Sequence, residues 1–149
     1  MNPSDWLQLC RTVRFADTDA AGVVQFQRVL AWAHEAYEES LERFGVAAAE
    51  IFPTPAQRPP VALPIVHCSA DFRRPLVCGD PLAIALEPLR IDPGCFELRY
   101  RFRSGDEPVA EGLTRHLAID SRSRQRCSLP EPIQRWLEAS ALRGGIQPL

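Results

Sequence analysis

Two carboxylates one residue apart, Asp17 and Asp19, stand in the short segment Ala16-Asp17-Thr18-Asp19-Ala20-Ala21-Gly22. An apolar periodicity begins a few residues later, near Phe26. A helix starting there presents N–H groups with no partner inside the helix, and such an end holds anionic oxygen. A carboxylate beside it can act as general base or nucleophile while the N–H groups hold a developing oxyanion. Asp and Thr ahead of a helix serve more ordinarily as caps and turn formers, and the three residues alone leave both readings open.

Few other chemistries find residues to carry them. The sequence has no Gly-rich phosphate loop, Ser-centred elbow or His-Glu-x-x-His metal motif. His34, His67 and His116 are far apart and lack metal-ligand spacing. All 17 basic residues are arginine, which excludes Schiff-base catalysis and a lysine-dependent phosphate loop. Cys10, Cys68, Cys78, Cys95 and Cys127 are odd in number and include no C-x-x-C pair, so neither a disulfide framework nor a zinc knuckle is expected. The expectation is reduced thiols and neither metal nor cofactor.

The elements that must position the carboxylates are legible in the pattern. Phe26, Val29, Leu30, Ala33, Tyr37, Leu41 and Phe44 follow steps of three and four, an amphipathic helix of about five turns. Glu35, Glu38, Glu39, Glu42 and Arg43 mark its solvated side, and Gly45 suits a left-handed cap. A mixed strand over residues 7–15 precedes it. Five prolines between residues 46 and 64 indicate a connecting loop. Strands follow over Ile65 to Phe72, from Leu82 to Leu86, over Cys95 to Arg103 and over Pro108 to Asp120, joined mainly by tight turns. On the third of these Phe96, Leu98, Tyr100 and Phe102 alternate with charged residues. On the last, one face is small: Ala110, Gly112, Thr114, His116 and Ala118. A short helix is expected from Glu131 to Leu142. Strands joined by tight turns pair antiparallel, and a lone long helix must bury its apolar stripe on them. The fold class is therefore α+β, an antiparallel sheet wrapped around one central helix, with the small face leaving it room.

Composition bounds the rest. A chain of 149 residues is about one domain, expected to span 1–149, and 46% hydrophobic with 24% charged residues is ordinary for a soluble globular protein. The first residues carry neither a basic nor an apolar segment, and no apolar run approaches the ~20 residues of a membrane helix, so a cytoplasmic protein with no membrane partner is expected. A net charge of −2 gives no footprint for nucleic acid.

The segment Val13-Arg14-Phe15-Ala16-Asp17-Thr18-Asp19-Ala20-Ala21-Gly22-Val23-Val24-Gln25-Phe26 resembles the N-terminal signature of hot-dog-fold acyl-CoA thioesterases of the 4-hydroxybenzoyl-CoA thioesterase family. The resemblance continues through His34-Glu35-Ala36-Tyr37-Glu38, Leu63 to Phe72 and Cys78-Gly79-Asp80. Within the family it is most similar to the hydrolases of 1,4-dihydroxy-2-naphthoyl-CoA in phylloquinone synthesis. It implies a hot-dog fold, thioester hydrolysis of an aromatic acyl-CoA, Asp19 as the carboxylate and the Phe26 backbone N–H as oxyanion donor. Asp17 then caps or braces the loop. Gly22, Gln25, His67, Arg73 and Arg74 are the candidate substrate contacts, the arginines for coenzyme A phosphates. Gln25 departs from the family, where many relatives carry an aromatic residue. His67 also reads as a satisfied structural side chain, and Thr114 and His116 as core neighbours of the helix. The resemblance further implies a homodimer or homotetramer with the site between protomers. Alternatives are 4-hydroxybenzoyl-CoA or a short-chain acyl-CoA as substrate, or a non-catalytic thioester-binding protein, which Asn or Ala at position 19 would have favoured.

Overall fold

The computed structural model describes residues 2–146, and side chains as far as residue 141. A helical turn α1 (Ser4–Leu7) leads into strand β1 (Gln8–Thr12), and after a loop comes the long helix α2 (Phe26–Phe44). The short helix α3 (Ala48–Ile51) and strand β2 (Val61–Ala62) interrupt the Pro-rich connection. Strands β3 (Ile65–Phe72), β4 (Pro81–Asp92), β5 (Cys95–Ser104), β6 (Glu107–Leu117) and β7 (Ile119–Asp120) precede helix α4 (Glu131–Ile146). The main sheet has the order β1-β4-β5-β6-β3 with every pair antiparallel, as the tight turns require.

Helix α2 has the expected bounds, and its end has the expected cause. Gly45 takes φ 109°, and the N–H groups of Gly45 and Val46 donate to Leu41 O at 3.1 and 2.9 Å, closing the last turn. The buried face is Val29, Trp32, Ala33, Ala36, Tyr37, Ser40 and Leu41, laid against the inner side of the sheet. Phe96, Leu98, Tyr100 and Phe102 lie on that side in β5, and Ala110, Gly112, Thr114 and His116 in β6, with Ala118 just past its end. The Tyr37 ring of the helix lies 4.8 Å from that of His116, while the space beside Gly112 is bordered by the Tyr100 ring of the neighbouring strand. Two members of the apolar stripe fall outside the core: Leu30 is half-buried, and Phe26 at the helix start is 75% exposed.

The core holds polar groups, most of them satisfied. Trp136 Nε1 donates to Ser40 Oγ at 3.1 Å and Trp6 Nε1 to Ser140 Oγ at 3.0 Å, tying α2 to α4 and α4 to α1. Tyr100 OH, Thr114 Oγ1 and His116 Nε2 form a buried chain with steps of 3.1 and 2.8 Å. Phe96 stacks on His116 at 4.5 Å, and His116 Nδ1 and Tyr37 OH have no hydrogen-bond partner among the described residues. Burial first, and the neighbouring His34 second, push the His116 pKa down to about 3. Burial likewise raises the Tyr37 and Tyr100 phenols.

Three stretches differ from the sequence expectation. The first strand covers only Gln8–Thr12, because residues 4–7 turn helically and Phe15–Asp17 form a 3₁₀ turn. The run expected at Leu82 to Leu86 extends from Pro81 to Asp92, beyond its apolar part. The expected last strand is broken at Ala118, whose N–H donates to Gly94 O, and β7 continues by pairing with β2. β3 is one of the sheet's two outer strands, with β1 at the other edge, and Ile65, Val66 and Phe72 on it are exposed.

Candidate active site

The loop between β1 and α2 folds as a small pinned hairpin. Thr18 and Val24 pair as an isolated antiparallel bridge, and Val24 N–H donates to Leu76 O at 2.9 Å. Asp19 N–H donates to Val23 O at 2.9 Å and Gly22 N–H to Asp19 O at 3.0 Å. Gly22 takes φ 81°, a left-handed conformation that L side chains adopt only with strain, so a glycine turns the chain back toward the helix. Gln25 sits before the first helical residue, in extended conformation, with its N–H donating to Asp17 O at 2.8 Å.

The two carboxylates have different fates. Asp17 is 6% exposed: Oδ2 accepts the Arg14 N–H at 2.8 Å, and Oδ1 lies 2.9 Å from Arg28 Nε in an ion pair. That is the brace expected of it. Asp19 is exposed, with Oδ1 accepting the Ala21 N–H at 2.8 Å, while Oδ2 accepts no protein hydrogen bond among the described residues. One oxygen orients the group and the other can work. The Phe26 N–H, first of α2, likewise meets no acceptor among the described residues, as the opening turn of a helix dictates.

Asp19 and Phe26 line one cavity of about 430 Å³. Its apolar wall includes Val24, Phe72, Leu76 and Val109, and Arg73 and Arg74 stand on its rim side, just past β3. Arg73 Nη2 lies 3.1 Å from Glu111 Oε2 and Arg74 Nε 2.7 Å from Glu107 Oε2, both exposed ion pairs. Such pairs are worth roughly 0–1 kcal/mol, so either guanidinium can turn to a phosphate at little cost.

The other candidates are placed elsewhere. Gly22 shapes the loop without lining the cavity. The Gln25 amide faces the loop, Nε2 donating to Thr18 O at 2.8 Å, so the position that is aromatic in many relatives fastens backbone here. His67 pairs with Arg115 in register, one step from the helix-facing Cys68–Thr114 pair, which puts it on the outer side of the sheet. It is exposed, it makes no hydrogen bond among the described residues, and this chain does not bring it to the cavity. The satisfied structural role expected as its alternative is not seen. Arg28 was overlooked in the sequence. Its signal was available, an arginine in the first turn of the helix behind two acids, but arginines are so numerous that it did not stand out. Among the described residues no group of three or more His, Cys, Asp or Glu could hold a metal ion, and no helix is long and apolar enough to cross a membrane.

Asp19 and the first residue of the long helix thus border one cavity beside an antiparallel sheet. Residues 13–137 match the family model of the thioesterase-like superfamily. The chain is 60% identical over 147 residues to the 1,4-dihydroxy-2-naphthoyl-CoA hydrolase of Synechococcus sp. (strain CC9311), covering 97% of this chain and 96% of that one. A crystal structure from Prochlorococcus marinus strain MIT 9313 superposes with a TM-score of 0.91 at 53% identity, over 94% of this chain and 99% of the other. The 1,4-dihydroxy-2-naphthoyl-CoA thioesterase of Synechocystis superposes with a TM-score of 0.80 at 33% identity, over 88% and 94%. The chain belongs to the thioesterase-like superfamily and has its hot-dog fold.

Proposed function

We propose that this protein hydrolyses an aromatic acyl-CoA thioester, 1,4-dihydroxy-2-naphthoyl-CoA, to 1,4-dihydroxy-2-naphthoate and coenzyme A, in phylloquinone synthesis. The observation that carries the chemistry is one cavity lined by Asp19, whose Oδ2 accepts no hydrogen bond among the described residues, and by Phe26, whose N–H meets no acceptor among them. The thioester carbonyl enters with its oxygen toward the Phe26 N–H, where negative charge grows as the carbon becomes tetrahedral. Asp19 either attacks that carbon, giving an acyl–aspartyl anhydride that water then cleaves, or takes a proton from the attacking water. Both routes expel the coenzyme A thiolate and use the same two groups. The phenyl walls of Phe26 and Phe72 suit a flat aromatic acyl group. The substrate's identity is supported by the relatives named above, and the presence of Arg73 and Arg74 in the cavity lining supports a role for them at the phosphates of coenzyme A.

The site is completed by a second copy. The outer edge of β3 is unpaired among the described residues and carries exposed Ile65, Val66 and Phe72, and Phe72 also lines the cavity. An open edge of this length is normally covered, and covering it with another protomer encloses the cavity in a homodimer, the unit of a homotetramer. All five cysteines are free, which suits the reducing cytoplasm.

Thiol release from dihydroxynaphthoyl-, hydroxybenzoyl- and aliphatic acyl-CoAs, each run beside Asp19→Asn, tests the proposal. The expected result is a strong preference for the dihydroxynaphthoyl thioester that Asp19→Asn abolishes while fold and assembly persist. Equal slow hydrolysis of every thioester overturns the substrate, and an active Asp19→Asn overturns the mechanism.

A further inference from the structure

Behind the Asp17–Asp19 loop lies a second cavity of about 440 Å³, open to solvent and lined by Arg14, Asp17, Arg28 and Trp32 among others. Asp17 is the wall's central group. Its carboxylate takes the Arg14 N–H, its carbonyl takes the Gln25 N–H, and its Oδ1 faces Arg28 from the first turn of α2. Arg28 is itself held in place. Its guanidinium lies 5.5 Å from the centroid of the buried Trp32 ring, and its Nη2 is 3.9 Å from Glu35. The Nε contact to Asp17 is an ion pair without an aligned N–H···O bond. Charge holds the pair together, and no donor–acceptor geometry locks it.

We propose that Arg28 is a positioning residue for the thioesterase reaction, acting through Asp17. This rests on the reading of Asp19 and the Phe26 N–H given above. Asp17 stands two residues before Asp19 and is bonded to the residue just before Phe26. A shift of Asp17 therefore moves the carboxylate and the oxyanion donor relative to one another. The loop has no other charged tether to α2 among the described residues, and Arg28 is the group that draws it onto the helix. Misplacement by about 1 Å at a reacting centre costs on the order of 10² in rate.

The test measures kcat and KM for Arg28→Ala, Arg28→Lys, Asp17→Asn and the double variant Asp17→Asn/Arg28→Ala, per folded protein, with Asp19→Asn in parallel. The expected result is a kcat lower by about 10²-fold in Arg28→Ala with KM within about threefold. Arg28→Lys is expected to recover most of it, and the double variant to be no worse than the single ones. Because the cavity is open beside Arg28, millimolar guanidinium should restore about tenfold in Arg28→Ala and nothing in the wild type or Asp19→Asn. Loss of structure alone does not produce that rescue. A kcat within threefold of wild type, a loss confined to KM, or a fall in kcat that guanidinium leaves untouched each overturns the proposal. An active Asp19→Asn overturns the underlying reading and this inference with it.

Discussion

In the proposed mechanism the oxyanion donor is the Phe26 backbone N–H, and its place in the helix makes it removable. Phe26 is the first residue of α2, the position where proline is tolerated because its N–H has no helical partner. The preceding residue must accept proline as well, and Gln25, at φ −64° and ψ 139°, already occupies the extended region that proline imposes on its neighbour. Substitution Phe26→Pro therefore deletes one donor without breaking a protein hydrogen bond. Removing one oxyanion donor costs about 10²–10³ in turnover, equivalent to roughly 3–4 kcal/mol of transition-state stabilisation. The aromatic ring is lost at the same time, and Phe26→Ala isolates that loss. Its side chain is 75% exposed, so stability should hold, while the cavity loses one apolar wall and KM rises. Steady-state thiol release with both variants separates the two effects. Phe26→Pro is expected about 10²-fold or more below Phe26→Ala in kcat, with unchanged helical circular dichroism. A kcat within threefold of Phe26→Ala in a folded Phe26→Pro would refute the oxyanion assignment.

Three further outcomes follow from named contacts. His116 is buried neutral with its pKa at about 3, whereas the unfolded chain takes up that proton near pH 6.5, so stability falls as the pH drops below about 6.5, by ~1.4 kcal/mol per unit. Between pH 7.5 and 5 the wild type should lose about 2 kcal/mol relative to His116→Phe in urea unfolding at fixed protein concentration, and a flat difference sinks the assignment. Arg73→Ala and Arg74→Ala should each raise KM severalfold with kcat little changed, and the wild-type KM should rise with salt; salt-independent KM values argue against phosphate contacts. At Gly94 a Cβ would stand 2.5 Å from the backbone oxygen of Cys127, so Gly94→Ala should cost about 1–3 kcal/mol in thermal or urea unfolding without altering turnover.

Much of the fold was legible because its signals are periodic and local. The bounds of α2 follow from apolar steps and Gly45, the strand Ile65–Phe72 from its β-forming run, and the alternation of β5 from hydrophobicity alone. β6 carries its helix contact at His116, whose ring meets that of Tyr37, rather than at Gly112, which borders Tyr100. Less legible was what depends on contacts remote in sequence. The pairing of β2 with β7 joins residues about sixty positions apart, and nothing in Val61-Ala62 distinguishes two paired residues from loop. The exposure of Phe26 also escaped the pattern, since periodicity cannot tell the end of a stripe that reaches the core from one that overhangs a cavity.

At the site, the sequence offers pairs of identical residues, and burial assigns their work. Asp17 and Asp19 differ by two positions, yet the first has both oxygens and its carbonyl engaged, and the second keeps an oxygen open to the cavity. A half-satisfied carboxylate at a helix start is held in place and still reactive. The arginines divide the same way. Arg28, with its guanidinium beside a buried indole, holds a loop, while Arg73 and Arg74, in exposed pairs, can exchange partners when a phosphate arrives. His116 is sealed among Phe96, Tyr37 and Thr114 with a depressed pKa, and its burial rather than its chemistry explains it. In each pair one member is enclosed and the other accessible, and in the proposed mechanism the enclosed one sets geometry and the accessible one meets the substrate. That is why a weak motif such as Asp-Thr-Asp becomes specific only once the fold has chosen which acid to bury.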